Sequence, residues 1–233
     1  MITEAIVLAG GLGTRLKAVI SDIPKPMAPV GERPFLYFIL KNLQKQGFKR
    51  VILSVGYRYE IIETYFGNCF ESLELVYAIE KEPLGTGGGI ANAMHFAREQ
   101  EVALINGDTF FDVSLESLYP FHKLHHADIS FSLKPMQEFD RYGRVEMDDK
   151  CRIKTFHEKA YCANGLINGG VYILNKAVFG AFSLPLKYSF EKDLLEKYTG
   201  ELNLFGFVSD SYFIDIGIPE DYARAQKEMP LWL

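Results

Sequence analysis

Two groups of residues in this sequence have the chemistry to handle phosphate. The first is Leu8-Ala9-Gly10-Gly11-Leu12-Gly13-Thr14-Arg15-Leu16, followed by Lys25 in Pro24-Lys25-Pro26. Glycines let a backbone approach a ligand closely and aim its N–H groups at it. Arg15 adds a planar cation with five donors, and Lys25 adds a second cation. A plain tight turn would explain the glycines but not the two cations, and the whole loop suits a polyphosphate. The second group is a pair of carboxylates, Asp108 in Asn106-Gly107-Asp108 and Asp215 in Phe213-Ile214-Asp215-Ile216. Asp108 alone also reads as a turn or cap residue. Asp215 stands between apolar neighbours, where an unpaired charge is costly. It therefore needs a partner, either a metal ion or a structural salt bridge.

These residues require elements that hold them in place. Ala5-Ile6-Val7-Leu8-Ala9, within a strand over 4–9, is an apolar run that opens directly into the glycine-rich turn. The sequence predicts further strands over 51–55, 73–79 and 102–105, alternating with helices over 34–46, 59–66 and 89–98. The helix over 34–46 carries Phe35, Phe38, Ile39 and Leu43 at helical spacing and stops at Gly47. This alternation implies a largely parallel α/β sheet covered on both faces, with ligands beyond the carboxyl ends of its strands. After about residue 127 the rhythm changes to short strands at 129–133, 144–147, 153–156 and 171–174. Helical pieces follow near 191–197 and 220–228. No linker or repeat interrupts the chain, so one domain over 1–233 is expected, with a first part over 1–126 and a β-richer part over 127–233.

Bulk properties narrow the function. The chain has 233 residues, 48% hydrophobic and 24% charged, with a formal net charge of −5. That charge argues against a nucleic-acid partner, whose binding surface would be basic. No apolar stretch is long enough to span a bilayer, and the N-terminus enters a strand at once, so no membrane association and a cytoplasmic location are expected. Cys69, Cys151 and Cys162 lack metal-ligand spacing and read as reduced thiols. His125-His126 reads as a solvated helix end. Tyr188 and Phe190 would serve either a homo-oligomer interface or the core. Gly11-Leu12-Gly13 continues to Leu16, so the third glycine of a dinucleotide fingerprint is missing. No Ser/His/Asp or Cys/His arrangement stands out.

Taken in order, Leu8–Leu16, Lys25-Pro26, Pro83-Leu84-Gly85-Thr86-Gly87-Gly88, Asn106-Gly107-Asp108, Glu158-Lys159, Asn168-Gly169-Gly170 and Asp215 resemble the motifs of sugar-1-phosphate nucleotidyltransferases. The resemblance covers nearly the whole chain. It implies a Rossmann-like nucleotidyltransferase fold, with a mixed, mostly parallel central sheet, helices on both faces and a sugar-binding second half. It also implies Mg²⁺ held by Asp108 and Asp215, a choice consistent with hard oxygen ligands. Leu8, Ala9, Gly10, Gly11, Gly13, Thr14, Arg15, Lys25, Gly85, Thr86 and Asp108 would bind the nucleotide. Arg15 would neutralise the β- and γ-phosphates, and Lys25 would contact the α-phosphate. Lys159 would bind the sugar phosphate and Glu158 the sugar hydroxyls, although read alone these two are an ordinary exposed charge pair. Gly143, Asn168 and Gly169 would line the sugar pocket or form plain turns. Some relatives of this kind are non-catalytic nucleotide sensors. Here Arg15, Lys25, Asp108, Lys159 and Asp215 are all present.

Glu80 bears on the choice of base. In the family, the position just before Pro-Leu-Gly-Thr reads the base, and glutamine is common there in thymidylyl and uridylyl enzymes. A carboxylate only accepts hydrogen bonds, whereas an amide both donates and accepts. Guanine offers adjacent N1–H and N2 amino donors, which a carboxylate can take together. Glu80 therefore favours GTP, unless it is a surface residue at a strand end. The segments 24–30, 85–89 and 213–222 look most like bacterial guanylyltransferases that act on heptose 1-phosphates. Mannose 1-phosphate guanylyltransferases and short uridylyl or thymidylyl enzymes share the layout.

Overall fold

The computed structural model describes residues 2–11 and 23–232. Arg15, Gly13 and Thr14 lie outside those residues. The chain runs β1 (Glu4–Leu8), a 3₁₀ turn at Lys25–Met27, β2 (Pro29–Val30), β3 (Arg33–Pro34), α1 (Phe35–Lys45), β4 (Arg50–Val55) and α2 (Tyr59–Phe66). It continues through β5 (Cys69–Phe70), β6 (Leu73–Ile79), α3 (Gly85–Met94), β7 (Glu101–Asn106), β8 (Thr109–Phe111) and α4 (Leu115–Leu124). Then come β9 (Ile129–Phe139), β10 (Arg144–Met147), β11 (Ile153–Phe156), β12 (Cys162–Asn175) and α5 (Val178–Ala181). A π-helical turn at Phe190–Glu196, β13 (Leu204–Val208), β14 (Phe213–Asp215) and α6 (Pro219–Glu228) complete it.

Strands β7, β1, β4 and β6 lie side by side in that order, all parallel. The runs of β1, β4 and β7 are largely apolar because both faces are buried, whereas β6 exposes Glu74 and Ile79. Successive side chains point to opposite faces: Ala5, Val7, Leu53 and Ile105 enter one core, while Ile6, Ile52 and Leu104 enter the other. Phe35, Leu36 and Leu40 of α1 and Ile62 of α2 cover the first face. Ile90, Ala93 and Met94 of α3 cover the second, together with Phe190, Leu194 and Leu195 of the π-helical turn.

The sheet continues into the second half of the chain. β12 pairs antiparallel with β7 over Val171–Asn175, then shifts register near Asn168 and runs beside β10 and β9. β13 joins β9 in parallel. The result is mixed but parallel at its centre. β8 and β14 form a separate antiparallel pair in which Asp215 faces Thr109.

β1 stands between β4, which follows it in the chain, and β7, which comes much later. The loops leaving β1 and β7 border a crevice beyond the carboxyl ends of the strands, where such sheets bind ligands. One backbone bond holds the crevice closed at its base: Gly107 N–H donates to Leu8 O at 2.9 Å. A Cβ on residue 107 would sit 2.2 Å from that same oxygen. Gly107→Ala is therefore expected to destabilise the protein by about 1–3 kcal/mol. Urea unfolding should show this as a lower midpoint at unchanged slope.

Three sequence expectations change. The helix predicted over 89–98 begins at Gly85 and ends at Met94. Its glycines are poor helix formers, but the chain at Leu186–Tyr188 lies directly on them. A Cβ on Gly87 would fall 2.1 Å from the Tyr188 ring, and one on Gly88 would fall 2.4 Å from Leu186 O. Tyr188 and Phe190 are buried and belong to the core. The helix end at His125 is present, but its ring stacks on Phe205 at 4.5 Å and is only half solvated. α4 escaped sequence reading because Pro120 interrupts it, while Ser114 caps it by accepting from Ser117 N–H at 3.1 Å.

Candidate active site

The carboxyl ends of β1, β4 and β6 surround a cavity of about 510 Å³. Leu8, Gly10 and Gly11 come from the glycine-rich loop, and Ser54, Gly56 and Tyr57 from the end of β4. Glu80, Lys81, Pro83, Gly85 and Thr86 close the third side. Ala9 is buried behind this wall, with its N–H spent on Ser54 O at 2.7 Å. Apolar walls with a few fixed polar groups are what a nucleoside site requires.

Glu80 is held in this cavity from both sides of its carboxylate. Leu84 N–H donates to Oε2 at 3.0 Å, and the single Ser54 hydroxyl proton is shared between Oε1 and Gly89 O, each at 3.3 Å. Each oxygen has two lone pairs, so each keeps one for a ligand. Room for the carboxylate is made by Gly89, where a Cβ would approach Oε1 to 2.6 Å.

The two aspartates meet although they are far apart in sequence. Asp108 leaves β7 just before β8, Asp215 ends β14, and the β8–β14 ladder sets them side by side. Ile216 N–H donates to Asp108 O at 3.0 Å, tying the two turns together. Lys25 Nζ sits 2.6 Å from Asp108 Oδ2. Asp215 accepts from Gly217 N–H at 2.7 Å and from Tyr142 O–H at 3.4 Å. Burial pushes the Asp215 carboxyl above its ordinary value, and the neighbouring Asp108 charge pushes the same way, while Lys25 pulls it back. The Tyr142 hydroxyl is raised by burial and then by the Asp215 charge.

A carboxylate destabilised by burial and by a second carboxylate lacks positive charge. Two Asp side chains with room for phosphate oxygens and water fit Mg²⁺, which takes few protein ligands and keeps a hydrated shell. The described residues include no cluster of three or more His, Cys, Asp and Glu suited to a metal.

A second cavity, about 410 Å³, has Asp108 and Asp215 in its own lining. Gly143, Glu158, Lys159 and Asn168 line it. Glu158 and Lys159 are exposed at its mouth and are not a pair, since Glu158 meets Lys192 at 3.4 Å. Asn168 donates to the buried Tyr172 hydroxyl at 2.8 Å. Gly169 does not reach the wall. It is packed on Phe111, where a Cβ would be 2.4 Å from the ring. Thr86 lines the first cavity, yet its hydroxyl is already engaged by Phe190 N–H and Glu191. Sequence reading missed Ser54, Tyr142, Tyr172 and Glu191, which carry no motif and become site residues only through strand register and helix packing.

A nucleoside-sized cavity, a carboxylate pair and a polar second cavity suit an enzyme that handles a nucleotide beside a second substrate. A model for the family described as nucleotidyl transferase matches residues 4–230, and the chain belongs to that family. It is 54% identical to the D-glycero-alpha-D-manno-heptose 1-phosphate guanylyltransferase of Aneurinibacillus thermoaerophilus, over 97% of this chain and 98% of that one. It is 51% identical to the protein of the same name from Campylobacter jejuni, over 94% and 96%. Two crystal structures of HddC from Yersinia pseudotuberculosis, 37% identical, match 98% of this chain and all of theirs. Their TM-scores are 0.88, and 0.86 for the form complexed with GMP-PN. The protein is a nucleotidyltransferase. No described helix is long and apolar enough to cross a membrane.

Proposed function

We propose that the protein transfers GMP from GTP to D-glycero-α-D-manno-heptose 1-phosphate, giving GDP-heptose and pyrophosphate. The observation that carries the base assignment is Glu80, a carboxylate fixed in the first cavity with acceptor capacity left on both oxygens. The sugar assignment rests on full-length likeness to two heptose 1-phosphate guanylyltransferases.

The chemistry needs little from the protein beyond placement and charge. The attacking group is a phosphate monoester, largely dianionic near neutrality because its second pKa is about 6. One sugar-phosphate oxygen bonds to the α-phosphorus, the α–β bridging bond breaks, and its electrons leave with pyrophosphate. The obstacle is like-charge repulsion, and the remedy is positioning plus cationic stabilisation. Lys25 reaches the α-phosphate from its place at Asp108, and Arg15 serves the leaving phosphates. Lys159 and Glu158 hold the sugar phosphate and its hydroxyls at the mouth of the second cavity, and Gly143 and Asn168 shape its wall. Mg²⁺ held by Asp108 and Asp215 supplies positive charge to the reacting phosphate oxygens when bound.

Pyrophosphate release with GTP, UTP, dTTP, CTP and ATP, each with the heptose 1-phosphate, tests this reading; GTP should be used fastest. Glu80→Gln should reduce the preference of GTP over UTP by about a hundredfold, because uracil O4 and N3–H then meet a matched amide. An unchanged nucleotide ranking in this variant would remove Glu80 from base recognition.

A further inference from the structure

The two cavities share a wall, and a hydrogen bond crosses it. Thr86 lines the first cavity and Glu191 the second. Thr86 O–H donates to Glu191 Oε2 at 3.0 Å, while its oxygen accepts from Phe190 N–H at 2.8 Å. Ser189 O–H donates to the same Oε2 at 3.2 Å. Backbone bonds clamp the two segments around this point: Tyr188 N–H to Leu84 O and Gly87 N–H to Tyr188 O, both 3.0 Å. The glycines at 85, 87 and 88 let the segments touch.

A threonine hydroxyl has one proton to give. Here it goes to Glu191, so none remains for a nucleotide phosphate, which can only accept. The oxygen is also engaged by Phe190. Thr86 therefore faces the nucleotide with its methyl group and backbone as the parts still uncommitted. Glu191, by contrast, has both its donors on Oε2 and keeps Oε1 as an acceptor. Around it stand Glu158 and Glu196, also lining the second cavity. Burial raises the Glu196 carboxyl, and the Glu158 and Glu191 charges add to this. Lys192, which meets Glu158 at 3.4 Å, offsets part of this charge, and the acceptor oxygens on this side of the cavity welcome hydroxyl donors.

We propose that Thr86, although part of the nucleotide cavity, is a positioning residue for the sugar 1-phosphate: it fixes the Glu191 carboxylate so that Oε1 accepts from a sugar hydroxyl. The polyol end of the substrate then lies against Glu191 and its phosphate end against the Lys159 and Asp108 side. This inference rests on the assignment of the two cavities to nucleotide and sugar phosphate.

Steady-state kinetics of Thr86→Val, Thr86→Ser and Glu191→Gln with GTP and the heptose 1-phosphate provide the test. Thr86→Val keeps the shape and removes the donor. It should raise KM for the sugar 1-phosphate roughly five- to tenfold, a loss in the range of one hydrogen bond's net worth, with KM for GTP changed less than about twofold. Thr86→Ser should restore the wild-type value. Glu191→Gln should move the same constant in the same direction, and it carries the test if the valine variant does not fold. A rise in KM for GTP alone, or a sugar KM untouched in both Thr86→Val and Glu191→Gln, would overturn the proposal. Wild-type turnover is the separate control on the parent reading. If the wild type does not turn over this pair, that reading fails, and calorimetric binding of GTP and of the sugar 1-phosphate to wild type and Thr86→Val still decides which ligand senses the hydroxyl.

Discussion

Replacing Asp215 by Asn should lower kcat by about a hundred- to a thousandfold and make the folded protein more stable at neutral pH. Both effects follow from the same charge. Asp215 is largely buried, faces Asp108, and has its carboxyl raised above the ordinary value. A group whose folded pKa is raised contributes stability below its unfolded pKa, near 4, and that contribution is lost as pH climbs through the folded value. At pH 7 the ionised carboxylate therefore costs stability. Asn has the same shape and no charge, and its amide oxygen still accepts from Gly217 N–H, which now meets Asp215 at 2.7 Å. Calorimetric melts should give a higher Tm for Asp215→Asn at pH 7, converging with wild type as pH falls toward 4. Pyrophosphate release should meanwhile collapse and need more Mg²⁺. A variant that lost activity and stability together would make Asp215 a structural residue instead.

Lys25→Met should produce a loss of similar size, about a hundred- to a thousandfold in kcat, by another route. Lys25 is mostly buried and stands 2.6 Å from Asp108. In the proposed reaction it leaves that carboxylate for the α-phosphate as charge builds there. Removing it takes away a cation that competes for Asp108, so the Mg²⁺ concentration giving half-maximal rate should not rise. This separates the lysine from the aspartates, whose loss should raise that concentration. Asp108 is 40% exposed and also accepts from the Thr109 hydroxyl at 3.3 Å. The loss of stability should thus stay below about 1 kcal/mol. A Lys25→Met enzyme with near-normal kcat would show that the ion pair only braces the loop.

Much of the scaffold could be read from residue order because burial on both faces leaves a clear trace. β1, β4 and β7 carry apolar runs that lead into glycine- or aspartate-bearing turns. A resemblance in seven motifs then supplied the family, which geometry alone could not name. Other features have no local signature. Asp108 and Asp215 come together only through the β8–β14 register. α3 was placed too late because its glycines read as breakers, when they are the surface on which residues 186–188 rest. Thr86 sits in a nucleotide motif and lines the first cavity, while its hydroxyl is spent on Glu191 in the lining of the second. Gly169 likewise looked like a pocket residue and is a packing glycine under Phe111.

The proposed transfer is driven by positive charge concentrated beyond the carboxyl ends of β1 and β7. Its most direct test is pyrophosphate release from GTP and the heptose 1-phosphate by purified protein, first in excess EDTA and then with Mg²⁺ restored. The rate should fall to roughly a hundredth or less in chelator and return in full with Mg²⁺. Undiminished transfer in EDTA would contradict the metal-holding role of Asp108 and Asp215.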